Sequence, residues 1–356
     1  MHAHGRRPDR TISPLAVRRS IEKGKALGLT TVSLTGGEPL ACSDLSLELV
    51  AMAKSHGLEV GLLTNGHLLT DQMADALSSR GLDWVRLSAD AAPEDTQVAT
   101  HHRRSSNHLP EVIEALRTRA IGVILRATVS SANAGSLVGL VRFALESHVE
   151  RLELQPCFPC GVPAVDRILV MPPSLHLQTA ATALRLRRTF APALDLRLYS
   201  GWFEFLCDEY AHEPVIPSRC GRQLLFLDSL GRYKTCGPSR YVLGLADDCA
   251  DSLRHLWLDH TYLRMIRDPI PTGVCVECGW FSACRYWCPA VNTLAGLAPN
   301  APVPTCPRVA STSIGSPHQS TRRVTYDTHS KAPADSTPGD PTGRDGDSRL
   351  LAFRRH

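Results

Sequence analysis

Seven cysteines crowd into one stretch of the sequence, at Cys220, Cys236, Cys275, Cys278, Cys284, Cys288 and Cys306. The last five follow the spacing Cys275-x2-Cys278-x5-Cys284-x3-Cys288 and then Cys306. Thiolates so near one another along a chain can meet at a metal centre only if the chain wraps around it. The chain has twelve cysteines in all and no secretion signal, so a disulfide framework is not expected: a reducing cytosol keeps thiols free, and metal binding or catalysis is the better use. Cys42, Cys157, Cys160, Cys207 and Cys249 are scattered. Cys157 and Cys160 form another C-x2-C, but Pro156 and Pro159 stiffen that loop and no partner pair is evident, so they read as buried or incidental thiols.

A second group of residues suited to chemistry is Thr35-Gly36-Gly37-Glu38-Pro39, at the end of a short aliphatic strand. Two glycines after a strand let the backbone approach a ligand closely, and a carboxylate beside them suits an ammonium group. Thr64-Asn65-Gly66, Ser88-Ala89-Asp90 and Gln155-Pro156 fall at corresponding strand ends.

The elements that must hold these residues are βα units. From Thr11 to about Gly161 short β-branched or aliphatic runs alternate with amphipathic stretches opened by a cap residue. Ser13-Pro14 opens a helix ending at Gly28. Strands are predicted at 31–34, 58–63, 84–87, 123–129 and 151–154, with helices near 44–56, 70–80, 109–119 and 136–147. Thr70 and Ser136 are expected N-caps, and Gly57 and Gly81 helix stops. Such units imply a parallel sheet with its functional residues at the C-terminal strand ends. A Rossmann reading lacks support, since no G-x-G-x-x-G and no P-loop follows any strand. Residues 162–219 read as a mixed connecting region. In 220–310 the segment Gln223 to Lys234, with a turn at Asp228 to Gly231, predicts a β-hairpin between the first two cysteines. Residues 311–356 are rich in Ser, Thr, Pro, Asp and Arg, almost without apolar residues before the last few, and are expected to be disordered.

The formal charge of +4 is small for 356 residues and the basic side chains are scattered, so a nucleic-acid surface is not indicated. No apolar run approaches the ~20 residues that span a membrane. A cytoplasmic enzyme with 43% hydrophobic residues and an ample core is the expectation.

The seven-cysteine pattern, with Gly231 before Cys236, resembles the SPASM domain of radical S-adenosylmethionine (SAM) enzymes, and Gly36-Gly37-Glu38-Pro39 resembles that superfamily's GGEP motif. The resemblance extends over most of residues 11–310. It implies a partial (β/α)6 TIM-like barrel over 1–161, lacking its first strand, followed by a cysteine-rich SPASM domain over 220–310. By the same resemblance, Cys275, Cys278, Cys284 and Cys306 hold one auxiliary [4Fe-4S] cluster and Cys220, Cys236 and Cys288 a second. The fourth position of the second set is open or filled by Cys207 or Cys249. GGEP binds the methionine amino group of SAM, Ser88 and Arg103 or Arg104 its carboxylate, and residues 155–161, beginning with Gln155, line the adenosine pocket. The family chemistry is reductive cleavage of SAM to a 5′-deoxyadenosyl radical that modifies a peptide or protein, with electrons from a flavodoxin or ferredoxin.

One departure is large. The family binds its catalytic [4Fe-4S] cluster through C-x3-C-x2-C upstream of GGEP, whereas the 35 residues from Met1 to Thr35 contain no cysteine. The expectation is a start codon placed too late or a truncated gene, an inactive chain as written, and a third cluster only in a longer product. A non-catalytic iron–sulfur protein carrying electrons or binding a partner is the alternative. A zinc-stabilised interaction module is a further one, because four-cysteine zinc sites also use C-x2-C pairs.

Overall fold

The computed structural model describes residues 11–93, 108–158, 169–199, 201–203, 206–207, 218–246, 252–286, 288–304, 306–309 and 350–354. Its frame is a parallel sheet laid down in chain order: β1 (Thr31–Thr35), β2 (Glu59–Thr64), β3 (Trp84–Ser88), β4 (Gly122–Val129), β5 (Arg151–Pro156) and β6 (Asp195–Leu198). Each strand pairs in parallel with the next, as the alternation of strand and helix requires. The helices between them are α1 (Pro14–Lys25), ahead of β1, then α2 (Ser43–Ser55), α3 (Asp71–Ser79), α4 (Leu109–Arg117) and α5 (Leu137–Glu146).

The local signals act as their chemistry dictates. Ser13 Oγ accepts a hydrogen bond from Ala16 N at 3.4 Å and Thr70 Oγ1 one from Met73 N at 3.2 Å. Gly57 and Gly81 take φ of +73° and +80° after α2 and α3, conformations that end a helix at no steric cost to glycine. Ser136 differs: a 3-10 turn, Ala134–Ser136, runs straight into α5, and its side chain caps nothing.

Two elements lie where a mixed connection was expected. A helix at Pro173–Phe190 crosses back, and β6 adds itself to β5. β6 is four residues long, Asp-Leu-Arg-Leu, and pairs on one side only, so its sequence signal is short; an ion pair from Arg151 Nε to Asp195 Oδ2 at 2.8 Å fixes its start.

The expected hairpin is present as β7 (Leu224–Asp228) and β8 (Arg232–Lys234), extended by β9 (Gly244–Leu245). Asp228 builds the turn: it is fully buried, and its Oδ1 accepts from Leu230 N and Arg232 N, both at 3.0 Å, while Gly231 adopts φ +71°. Most of the tail expected to be disordered lies outside the described residues. Its end departs from that expectation: β10 (Leu350–Arg354) fits antiparallel between β1 and β7, joining parallel sheet and hairpin into one ten-stranded sheet. The reason is compositional, since Leu350-Leu351-Ala352-Phe353 is the tail's one apolar run.

The large core fills the space between the sheet and its helices, from Val17 and Ile21 through Leu62, Leu87 and Leu125 to Leu154 and Leu196. A second, small core lies among the cysteines and consists of Phe203, Cys236, Tyr286, Cys288, Ala290, Val291 and Val303. The two regions also meet through Ser20 Oγ on α1 and Tyr233 Oη on β8, 2.7 Å apart and buried. Among the described residues no helix is long and apolar enough to cross a membrane.

Candidate functional site

The sheet has two unlike faces. Val32, Leu34, Val60, Leu62, Val85, Leu87, Leu125, Leu152 and Leu154 belong to the apolar core under the helices. Their alternates share the other face: the strand registers place Thr31 beside Glu59, Ser88 beside Arg126, Arg126 beside Glu153, and Thr128 beside Gln155. A parallel sheet covered on both sides would be apolar on both. This one turns a polar face away from its helices, as a binding chamber requires.

At one end of that face the chain turns through Gly36, whose φ of +152° favours glycine, into Glu38 and Pro39. Glu38 is 6% exposed and both its oxygens are engaged. Oε1 accepts from Leu40 N at 3.1 Å and from Thr64 Oγ1 at 2.7 Å; Oε2 accepts from Asn65 N at 3.0 Å. The sequence marked Glu38 as a partner for an ammonium group; in the fold its carboxylate first clamps the loop after β1 to the loop after β2. Ser88 is exposed at the end of β3, and Gln155 is half-buried near the end of β5. Arg103 and Arg104 lie outside the described residues.

Next to Ser88, Asp90 is half-buried; lost hydration pushes its carboxyl up to about 6, although Oδ1 accepts from Thr128 N at 2.8 Å. Deeper on the face, Glu153 pairs with Arg86 at 2.9 Å and Arg126 at 3.5 Å, and Arg126 stacks over Tyr199 with 4.0 Å to the ring centroid. Two guanidiniums against one carboxylate leave the patch cationic.

The seven C-terminal cysteines sort by their electrostatic neighbours into two groups, although Cys220, Cys236, Cys275, Cys284, Cys288 and Cys306 all lie in or against one small core. Cys220 and Cys236 are joined by a thiol–thiol hydrogen bond, and Cys288 is close enough for its charge to act on Cys236. The hydrogen bond from Cys236 is the main influence drawing Cys220 down to about 7; Ser218 and the Arg222 and Arg126 guanidiniums add to it against the cost of burial. Arg126 is the last and least of these influences. In the second group burial pushes Cys275 up to about 11, with Cys306 and Cys278 adding their charges, and Cys278 also acts on Cys306. Cys284 belongs on the same side, since Cys275 and Cys284 both act on the Tyr286 hydroxyl. Arg308 Nη1 donates to Cys278 Sγ at 3.3 Å.

The separation of Cys284 from Cys288 has a local cause. Arg285 and Tyr286 take φ of +45° and +58°, a left-handed turn that reverses the chain between them. Tyr286 holds that turn: its hydroxyl lies 2.9 Å from Thr272 Oγ1, donates to Ile270 O at 3.0 Å and accepts from Thr272 N. Asn292, fully buried, donates to Pro299 O and Ala301 O and so fixes the loop that returns to Cys306. Cys207 stands apart from both groups, packed against the sheet's core with Sγ 3.7 Å from Leu177 O; Cys249 and Cys160 lie outside the described residues. Among the described residues no three His, Cys, Asp or Glu side chains converge closely enough to hold a single metal ion.

Arg126, Arg308 and Tyr286 were not singled out by sequence. A lone arginine or tyrosine has no pattern, and each acquires its role only through contacts from other elements.

Fold and site define a class. Residues 1–131 match the model of the radical SAM superfamily. The chain shares its fold with Streptococcus suis SuiB bound to S-adenosylmethionine, with a TM-score of 0.62 at 17% identity over 83% of this chain and 70% of that one. It shares it equally with anSMEcpe bound to AdoMet and the Kp18Cys peptide, with a TM-score of 0.63 at 15% identity over 85% and 87%. Among named enzymes the chain is 28% identical over 246 residues to the PqqA peptide cyclase of Xanthomonas campestris pv. campestris (strain 8004), covering 67% of this chain and 63% of that one. It is 24% identical over 321 residues to the mycofactocin maturase MftC of Mycolicibacterium smegmatis, covering 86% and 78%. The chain therefore spans somewhat under two thirds of the length of the cyclase that it matches.

Proposed function

We propose that this protein is a peptide-modifying radical SAM enzyme of the SPASM type, with two auxiliary [4Fe-4S] clusters in its C-terminal half. The observation that carries the reading is the gathering of Cys220, Cys236, Cys275, Cys284, Cys288 and Cys306 in or against one small core, beside a sheet with a polar face. Cys275, Cys278, Cys284 and Cys306 supply four thiolates to one cluster; Cys220, Cys236 and Cys288 supply three to the other. The donor sets are all sulfur, as iron–sulfur clusters require. Cys220 is drawn down to about 7, whereas its neighbour Cys236, with Cys275 and Cys306, is pushed up, so metal binding would have to displace protons from most of these thiols.

Within this reading the polar face receives the cofactor and peptide. Gly36 and Gly37 give close backbone approach at one end, Ser88 and Arg103 bind the carboxylate of SAM, and Gln155 borders the adenosine. Glu38 and Pro39 hold the glycine loop in shape. The cationic Arg86–Arg126 patch orients the substrate beside the second cluster. When bound, a reduced [4Fe-4S] cluster and SAM supply a 5′-deoxyadenosyl radical, with electrons from a flavodoxin or ferredoxin. The protein's share is to position these groups and exclude water. Residues 1–356 contain no C-x3-C-x2-C, so cleavage of SAM requires a segment that brings those three thiolates.

Anaerobic reconstitution tests the reading. The chain should turn brown and bind about eight iron atoms, and Cys278→Ala or Cys284→Ala should lose about half of them. Stoichiometric zinc with no iron would overturn it. With dithionite and SAM, these 356 residues should form no 5′-deoxyadenosine, and a product carrying C-x3-C-x2-C before Gly36 should form it and hold about four more iron atoms.

A further inference from the structure

We propose that Arg126, backed by Arg86, is a specificity-determining subsite that takes an acidic side chain, glutamate or aspartate, of the substrate peptide. The inference rests on the reading that the polar face of the sheet receives a peptide, and it names the chemistry which that face selects. The Arg126 guanidinium is a poorly satisfied cation. Its Nε lies 3.5 Å from Glu153 Oε2, beyond the usual hydrogen-bond length, and Arg86 Nε already holds that oxygen at 2.9 Å. Arg86 Nη2 donates to the other oxygen of the same carboxylate at 3.2 Å. Among the described residues, Nε and Nη2 of Arg126 are buried without a hydrogen-bond partner. Donors of a charged group left unpaired out of water are costly, and native folds keep few of them. Burial first, and then the charge of Arg126, draw the Arg86 guanidinium below its ordinary value, so the two cations also repel one another.

The other described carboxylates of this face are engaged elsewhere. Glu59 accepts from Thr31 Oγ1 at 3.0 Å and from Trp84 Nε1 at 2.6 Å, Asp195 pairs with Arg151 at 2.8 Å and Arg197 at 2.7 Å, and Asp90 accepts from Thr128 N at 2.8 Å. The arginine fork is held ready for a further partner. Tyr199 covers one side of the guanidinium, 4.0 Å from the ring centroid, and fixes its plane, so the N–H groups meet a ligand edge-on, as a bidentate carboxylate requires. The Arg126 side chain keeps 19% of its surface open, and it lies in register beside Ser88 and two residues before Thr128, both exposed at the ends of their strands. A carboxylate entering there supplies the acceptor that Glu153 cannot share and offsets the repulsion between the two arginines. An amide of the same shape brings one acceptor and no charge.

The test uses the anaerobically reconstituted full chain and two probe peptides, acetyl-Gly-Gly-Glu-Gly-Gly-amide and its glutamine counterpart. Equilibrium dialysis should show the glutamate peptide binding roughly tenfold more tightly, the size of one well-placed charged hydrogen-bond pair, and the preference should shrink in high salt. Mass spectrometry should find that the glutamate peptide, and not SAM, shields Arg126 from modification by phenylglyoxal. Arg126→Gln should bring the two peptides to equal affinity, and Arg126→Lys, which keeps the charge without the fork, should retain part of the preference. Equal binding of the two peptides by the native chain would overturn the subsite and leave the peptide-binding face standing, whereas binding of neither would overturn both. Shielding of Arg126 by SAM in place of the peptide would also overturn the assignment, since the carboxylate at Arg126 would then be the cofactor's. Should Arg126→Gln fail to fold, the two peptides and the shielding on the native chain decide the matter.

Discussion

The two halves of this molecule reach order by different means. The parallel sheet is held by apolar packing: Val32, Val60, Leu62, Leu87 and Leu125 are all within 4% of complete burial, under helices α2 to α5 of nine to thirteen residues. The cysteine-rich half has helices of four to eight residues, and two of the seven residues in its core are cysteines that the cluster reading assigns to metal. Burying a leucine-sized side chain contributes about 1.5–3 kcal/mol, so the first half can stand on burial. The hairpin and the helices of 252–267 join the large core through Leu227, Tyr233, Leu256 and Leu263. It is the small core about the cysteines that has little to bury, and there the proposed clusters would supply what packing does not.

The most severe way to break this contrast is to remove the iron. Chelation should leave β1 to β5 protected in hydrogen exchange while residues 273–309 lose protection almost entirely; equal loss in both regions would show that the sheet too depends on the proposed clusters. The converse perturbation is Leu62→Ala in the fully buried centre of β2. It should cost about 2–5 kcal/mol in denaturant unfolding with iron content unchanged. A fall in iron would mean that the halves are coupled more tightly than their packing implies.

A titration sharpens the contrast within the sheet itself. Burial raises Asp90 to about 6 from its ordinary 3.8, so the native state holds the proton more tightly than the unfolded chain. Its contribution is therefore most favourable below that ordinary value and is lost as pH rises through about 6, by ~3 kcal/mol in full. Asp90→Asn should raise stability at pH 7.5 and abolish a loss of about 1 kcal/mol between pH 5 and 7.5, read from urea midpoints. The smallest effect concerns β10. Deleting residues 350–356 exposes the edges of β1 and β7 and should lower the melting temperature by about 2–4 °C, on the order of 1 kcal/mol, with iron retained. No change would return the tail to the role its composition suggests.

What sequence reveals follows the same division. Helices α1 to α5 and the first five strands were legible because period, cap and stop agree, as at Ser13-Pro14 and Gly57. The hairpin was legible because Asp228 and Gly231 are turn residues flanked by alternating apolar positions. β6 was not, because four residues at an edge carry too little pattern. The engagement of Glu38 was hidden for another reason: Thr64, which donates to it, lies 26 residues away, and no local signal joins them. Tyr286 and Arg126 are likewise single residues whose meaning comes only from what the fold sets beside them.

The hydrogen bond between Ser20 and Tyr233 spans 213 residues of sequence, and β1 pairs with β10 across more than three hundred. Contacts of such range form slowly, since the chain must close very large loops before they return any energy. The βα units can collapse early from near neighbours, whereas α1 gains its last partner only after the hairpin exists. Newly made chains should therefore dock α1 on α2 and the sheet through Val17 and Ile21 before its last contact, with Tyr233, can close.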